Sequence, residues 1–143
     1  MKIKTLVAVL LLSGGVTSTF AQSDCNANSS ISHEAVRAKN FKDAYAPCMA
    51  VLKDCPTLRY YTYTDAQKIL TGLMSQIKDR NSAEYKKLFD ELMAVHDQKM
   101  KYIPEFASKM KGVPSVASAL GTKAVDYLQY APAPDLNLSL IHI

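Results

Sequence analysis

Three features of this 143-residue sequence predict an all-α fold. From Ile31 to Tyr130 apolar residues recur at spacings of three and four, the period of an amphipathic helix. No stretch of useful length alternates apolar and polar residues with period two, as a half-buried strand would. Pro56, the Asp79 to Ser82 cluster, Pro104 and Pro114 cut the pattern into helix-sized pieces. Breaks this short join antiparallel neighbours.

Residues 1–21 predict a secretory signal peptide. Lys2 and Lys4 precede the apolar run Leu6 to Leu12, and the small-residue ending Thr19-Phe20-Ala21 places cleavage after Ala21. The run is far shorter than the roughly 20 apolar residues of a membrane-crossing helix, and no later stretch qualifies, so no membrane span is expected after cleavage. A lipid anchor needs a cysteine directly after the cut, whereas Cys25 lies behind Gln22-Ser23-Asp24. The expectation is an exported, soluble mature chain, periplasmic or extracellular.

Residues 22–30 (QSDCNANSS) are turn-rich and suit a polar lead-in. Ser30 can cap a short helix from Ile31 to about Lys39, and Asn40 breaks it. Phe41, Ala44, Tyr45, Cys48 and Leu52 form the stripe of a second helix ending before Pro56. Between Thr57 and Lys78 a third carries Ala66, Ile69, Leu70, Leu73, Met74 and Ile77, with Thr64 or Asp65 as cap; Gly72 weakens it slightly. Asn81 followed by Glu84 predicts a capping-box start to a fourth, with a face including Tyr85, Leu88, Phe89, Leu92 and His96, which Pro104 ends or bends. Pro114 suits the first turn of a fifth, Ser115 to about Tyr130, carrying Val116, Leu120, Ala124, Tyr127 and Leu128. APAPDLN then imposes an extended connection.

The formal net charge is +4; loss of the signal lowers the basic count from 17 to 15 against 13 acids, leaving +2. Basic and acidic residues alternate, as in KDRNSAEYKK, so no patch suited to phosphate backbones arises and nucleic acid is not an expected partner.

Asn40-Phe41, Ala44, Cys48, Val51-Leu52 and Pro56 fall at the offsets of the second half of a tetratricopeptide repeat: an aromatic after the interhelix turn, a small residue three later, larger ones at seven and ten, proline at fifteen. The chain resembles that family. Cys48 stands where an aromatic is usual, Lys39 where glycine is common, and Asp65 where a leucine is expected. The unit from Thr57 to about Lys111 exceeds the standard ~34 residues. Leu120-Gly121 and Ala124 resemble a first repeat helix again. The resemblance implies helix hairpins stacked into a short right-handed solenoid over residues 31–137, packed through Phe41, Ala44, Cys48, Leu52, Pro56, Leu120, Gly121 and Ala124. It implies protein or peptide binding and no catalysis.

Residues 138–143 (LSLIHI) abandon the polar pattern. They are what CTG TCT CTT ATA CAC ATC would encode, a string resembling a transposon end used in library preparation, and are expected to be a non-native tail on a C-terminally truncated chain. A half repeat would leave the face around Leu120, Ala124 and Leu128 uncovered.

Cys48 and Cys55 lie seven apart on one helix, about 10 Å by rise, too far for a bridge. Cys25 precedes the first helix and Cys55 ends the second, so an antiparallel hairpin brings them together and a Cys25–Cys55 disulfide is expected, with Cys48 buried. A metal or thiol site would need closely spaced thiols or several histidines on one face; the chain offers only His33 and His96, apart from His142 in the suspect tail. His96 is expected to be a satisfied core residue and His33 exposed. Tyr60, Tyr61 and Tyr63 are the candidate partner-binding residues, their competing role being packing between helix pairs. No Gly-x-Ser-x-Gly motif, phosphate loop or cofactor motif occurs, and Asp90, Glu91, Asp97 and Asp126 suit a solvated helix face. The expectation is a non-enzymatic helical-repeat scaffold; the alternative is the N-terminal repeat region of a larger protein whose further part carries an enzymatic or anchoring function.

Overall fold

A computed structural model describes residues 17–133, with side chains from Asp24 onward. Most of the expected signal peptide and the whole 138–143 tail lie outside the described residues. Among those described the structure is entirely helical: α1 (Thr17–Arg37), α2 (Phe41–Asp54), α3 (Tyr61–Met74), α4 (Ala83–Lys109) and α5 (Val116–Tyr130).

Side-chain pairings give the directions. The Cys25–Cys55 disulfide and the Ser32 hydroxyl bonded to the Ala44 carbonyl make α1 and α2 antiparallel. Gln67 on His96, with Tyr60 and Tyr63 on Phe106, does the same for α3 and α4. These two hairpins lie alongside each other in parallel register. Ser29–Tyr61 and His33–Asp65 join α1 to α3 at a constant offset of 32 residues. Tyr45–Glu91 and Gln98 on the Leu52 carbonyl join α2 to α4 at an offset of 46. Helix α5 runs antiparallel against α4, through Tyr85 on the Tyr130 carbonyl and His96 on Asp126.

The disulfide holds the open end of the first hairpin, with a Cα–Cα distance of 6.3 Å. Closing a loop of 30 residues stabilises the fold by roughly 3 to 4 kcal/mol in the chain-entropy model. Disulfides of this kind persist in oxidising surroundings. Cys48 is a free, fully buried thiol; burial pushes its pKa up to about 11.

Helix α1 departs from the sequence expectation: the polar lead-in is helical. Cys25, Ser29, Ser32 and Val36 recur at spacings of four, three and four, and all four are buried. Small hydroxyls replace aliphatic side chains here because each finds a partner across the interface, Tyr61 for Ser29 and the Ala44 carbonyl for Ser32. Helix α1 ends at a left-handed residue, Lys39 (φ 57°), with Asn40 N–H donating to the Ala35 carbonyl and Lys39 N–H to that of Val36. This is the Schellman arrangement, which glycine usually provides.

Two other helix boundaries differ. Helix α3 begins at Tyr61, so neither Thr64 nor Asp65 caps it; Thr64 donates back to the Tyr61 carbonyl and Asp65 is buried. Ser82, not Asn81, caps α4, accepting from the Tyr85 amide. Helix α4 also continues through Pro104, although a proline inside a helix costs about 3 kcal/mol. Ile103 and Phe106, on either side of it, are both buried and offset that cost. Pro114 lies outside α5 rather than in its first turn: it precedes Ser115, whose hydroxyl caps the helix by accepting from the Ser118 amide, and the helix itself begins at Val116.

Core residues Ala44, Cys48, Ala66, Ile69, Leu70 and Leu92 have no exposed surface. Phe41, half-buried, lies against Gly72 of α3, where a Cβ would intrude on its ring. Leu52 is buried, and Pro56 is half-buried with its carbonyl accepting from Tyr63. On α5 only Ala119 is fully buried; Leu120 and Ala124 are half-buried, Gly121 faces open space, and Leu128 is 47% exposed.

Candidate functional site

The three tyrosines singled out in the sequence do not form one surface. Tyr63 is fully buried, its hydroxyl donating to the Pro56 carbonyl and its ring edge-on to Phe106. Tyr60 packs edge-on to the same Phe106 at 5.5 Å. Helix α4, at 27 residues, is nearly twice as long as α2, and its last turns project over the start of α3. Phe106 lies on that overhang and packs on both tyrosines, leaving Tyr63 fully buried and Tyr60 half-buried. Tyr61 instead joins a seam between α1 and α3, its ring 4.5 Å from that of His33 and its hydroxyl 3.2 Å from Ser29 Oγ. His33, expected to be exposed, is half-buried and pairs through Nδ1 with the buried Asp65 at 2.7 Å.

A second polar cluster lies between α3, α4 and α5. His96 has no exposed surface; its Nε2 is 2.7 Å from Asp126 Oδ2, and Gln67 approaches the ring at 3.1 Å. Lys99 donates to Gln67 Oε1 at 3.1 Å and is itself buried. Burial lowers the Lys99 pKa, and the nearby Asp126 carboxylate works against that shift. The cluster is closed to solvent at His96 and Lys99, and its hydrogen bonds fasten α5 to α4. Among the described residues no group of three or more His, Cys, Asp or Glu side chains could hold a metal ion, and no helix is long and apolar enough to cross a membrane.

Two adjoining open hollows lie between the hairpins, along α2 and α4. The larger, about 510 Å³, has an apolar floor of Leu73, Ile77 and Leu88, with Lys42, Glu84 and Lys87 at its rim. The smaller, about 260 Å³, is floored by Met49, Leu52 and Val95, with Lys53 and Ala94 at its rim. Tyr45 belongs to both. Its hydroxyl reaches Glu91 at 2.7 and 2.9 Å and forms a bar that divides one furrow into two hollows. Burial, then the hydrogen bond to Glu91, raises the Tyr45 pKa to about 12, so the phenol keeps its proton at neutral pH.

The furrow follows from local sequence. Tyr45, Met49 and Leu52 at spacings of four and three put one apolar edge on α2; Leu88 and Val95, seven apart, do so on α4. Ala94, small and exposed, leaves the smaller hollow open on the α4 side. Tyr45 and Leu52 belonged to the core stripe read from the sequence; Met49 did not. That the helices carrying these residues lie parallel with a gap between them depends on tertiary register, and Lys42, Lys53 and Gln98 gave no sequence signal. Glu91, expected on a solvated face, holds the bar instead. Comparison with protein-family models, curated proteins and solved structures returned no match.

Proposed function

We infer that this chain is an exported helical-repeat scaffold of the tetratricopeptide type, holding a protein or peptide segment in the furrow between its two helix hairpins and performing no chemistry of its own. The observation that carries this reading is the furrow: two hollows of about 510 and 260 Å³, meeting at Tyr45, apolar beneath and charged at the rim. Apolar floors with a few placed polar groups are the usual make-up of binding sites. The repeat reading draws support from the parallel register of α1 with α3 and of α2 with α4, the pattern of one hairpin stacked on a like one. The Cys25–Cys55 disulfide supports export.

A photo-crosslinking amino acid placed at Ala94, on the furrow's α4 edge, tests the reading in the cell that makes the protein. A discrete crosslinked partner is expected from Ala94 and not from a control at Thr122, likewise exposed but on α5 and outside the furrow. Equal labelling from both positions, or none from Ala94, would contradict it.

A further inference from the structure

The furrow has a chemistry specific enough to describe its occupant. We propose that it receives an amphipathic helix bearing two apolar residues seven apart and two acidic residues eleven apart along one flank. This inference rests on the reading of the furrow as the partner site and adds the chemical class of the guest.

The apolar spacing comes from the floor. Leu88 belongs to the larger hollow and Val95 to the smaller, separated by two helical turns, or about 10 Å of rise. Two anchors at i and i+7 on a guest helix match that separation, and the Tyr45–Glu91 bar between the hollows requires something small in between. A strand-like guest has no edge to pair with, because the described residues contain no strand.

The acidic preference comes from the rim. Glu91 is answered twice, by the Tyr45 hydroxyl and by Lys87 at 3.7 Å. Lys42 and Lys53 are exposed, have no partner among the described residues, and stand at opposite ends of the α2 edge. Eleven residues is three turns, so both lie on one side, about 16 Å apart by rise. Lys42 sits in the first turn of α2, where the positive helix end disfavours a cation; a guest carboxylate there relieves that repulsion. Glu84, the acid on the facing edge, lies in the first turn of α4 and is already matched by that helix's positive end. Lys53, in the last turn of α2, is the lesser of the two contacts.

The test is fluorescence anisotropy of the oxidised full chain with a labelled 16-residue alanine-rich helix. Its leucines are at positions 5 and 12 and its glutamates at 2 and 13; a control peptide carries lysine in place of both glutamates. The glutamate peptide is expected to bind about tenfold tighter than the control at low salt. The Lys42→Glu, Lys53→Glu double variant reverses the preference, and Lys42→Glu alone weakens binding more than Lys53→Glu. If both peptides bind equally and Ala94→Gln, which fills the smaller hollow from an exposed position, weakens both without lowering stability to urea, the furrow reading stands and the acidic guest is wrong. If neither peptide binds, or Ala94→Gln leaves both unaffected, the furrow reading falls and this inference with it.

Discussion

Gly72 of α3 faces the ring of Phe41 at the start of α2, so closely that no side chain fits between them. A mid-helix glycine is ordinarily a weakness of about 1 kcal/mol relative to alanine. Here it is the point at which the second hairpin comes against the first. Gly72→Ala is expected to destabilise the protein by roughly 1 to 2 kcal/mol, because overpacking outweighs the helix propensity gained. Urea unfolding measures the loss, and adding Phe41→Leu should recover much of it; simple additivity of the two changes would contradict the contact.

Lys39 makes the opposite case. A lysine held at φ 57° pays for a left-handed conformation that glycine adopts freely. Lys39→Gly keeps both backbone hydrogen bonds of the Schellman turn and is expected to stabilise the protein by about 1 kcal/mol in the same assay.

The Lys99 ammonium gives a pH dependence of known sign. Burial lowers its folded-state pKa below the usual ~10.4, so between those two values the unfolded chain binds more protons and stability rises with pH. Tyr45 acts in reverse: its pKa is raised to about 12, so stability is lost as pH climbs from about 10 toward that value. Comparing Lys99→Met with the parent chain across pH 7 to 10 isolates the first effect. Their stability difference should shift in the parent's favour as pH rises; a constant difference would show that Lys99 is not desolvated.

Helix α5 depends on polar contacts to an unusual degree, having one fully buried residue of its own, Ala119. Asp126→Ala removes a hydrogen-bond partner from the fully buried His96 and is expected to cost about 1 to 3 kcal/mol. Hydrogen exchange should quicken across 116–130 while α1 to α3 stay protected. Unchanged protection in α5 would mean that the His96–Asp126 pair does not hold it.

The helices were legible wherever their buried faces were aliphatic or aromatic, as in α2 and α4. Helix α1 was half hidden because its interface uses Cys25, Ser29 and Ser32, whose chemistry resembles a loop until the partners across the gap are known. The disulfide was legible because hairpin topology alone brings Cys25 and Cys55 together. Asp65 and Asp126 were opaque: a carboxylate paired with a histidine on another helix carries no local signal. Lys42 and Lys53 were invisible as a pair for the same reason, since their role depends on what faces them.

Amide chemical-shift mapping of the oxidised protein, titrated with the two-anchor acidic helix, reads the location of binding directly. Perturbations are expected along 42–53 and 84–98, the two walls of the furrow. Perturbations centred instead on 26–33 and 59–65, along the Ser29–Tyr61 and His33–Asp65 seam, would contradict binding in the furrow.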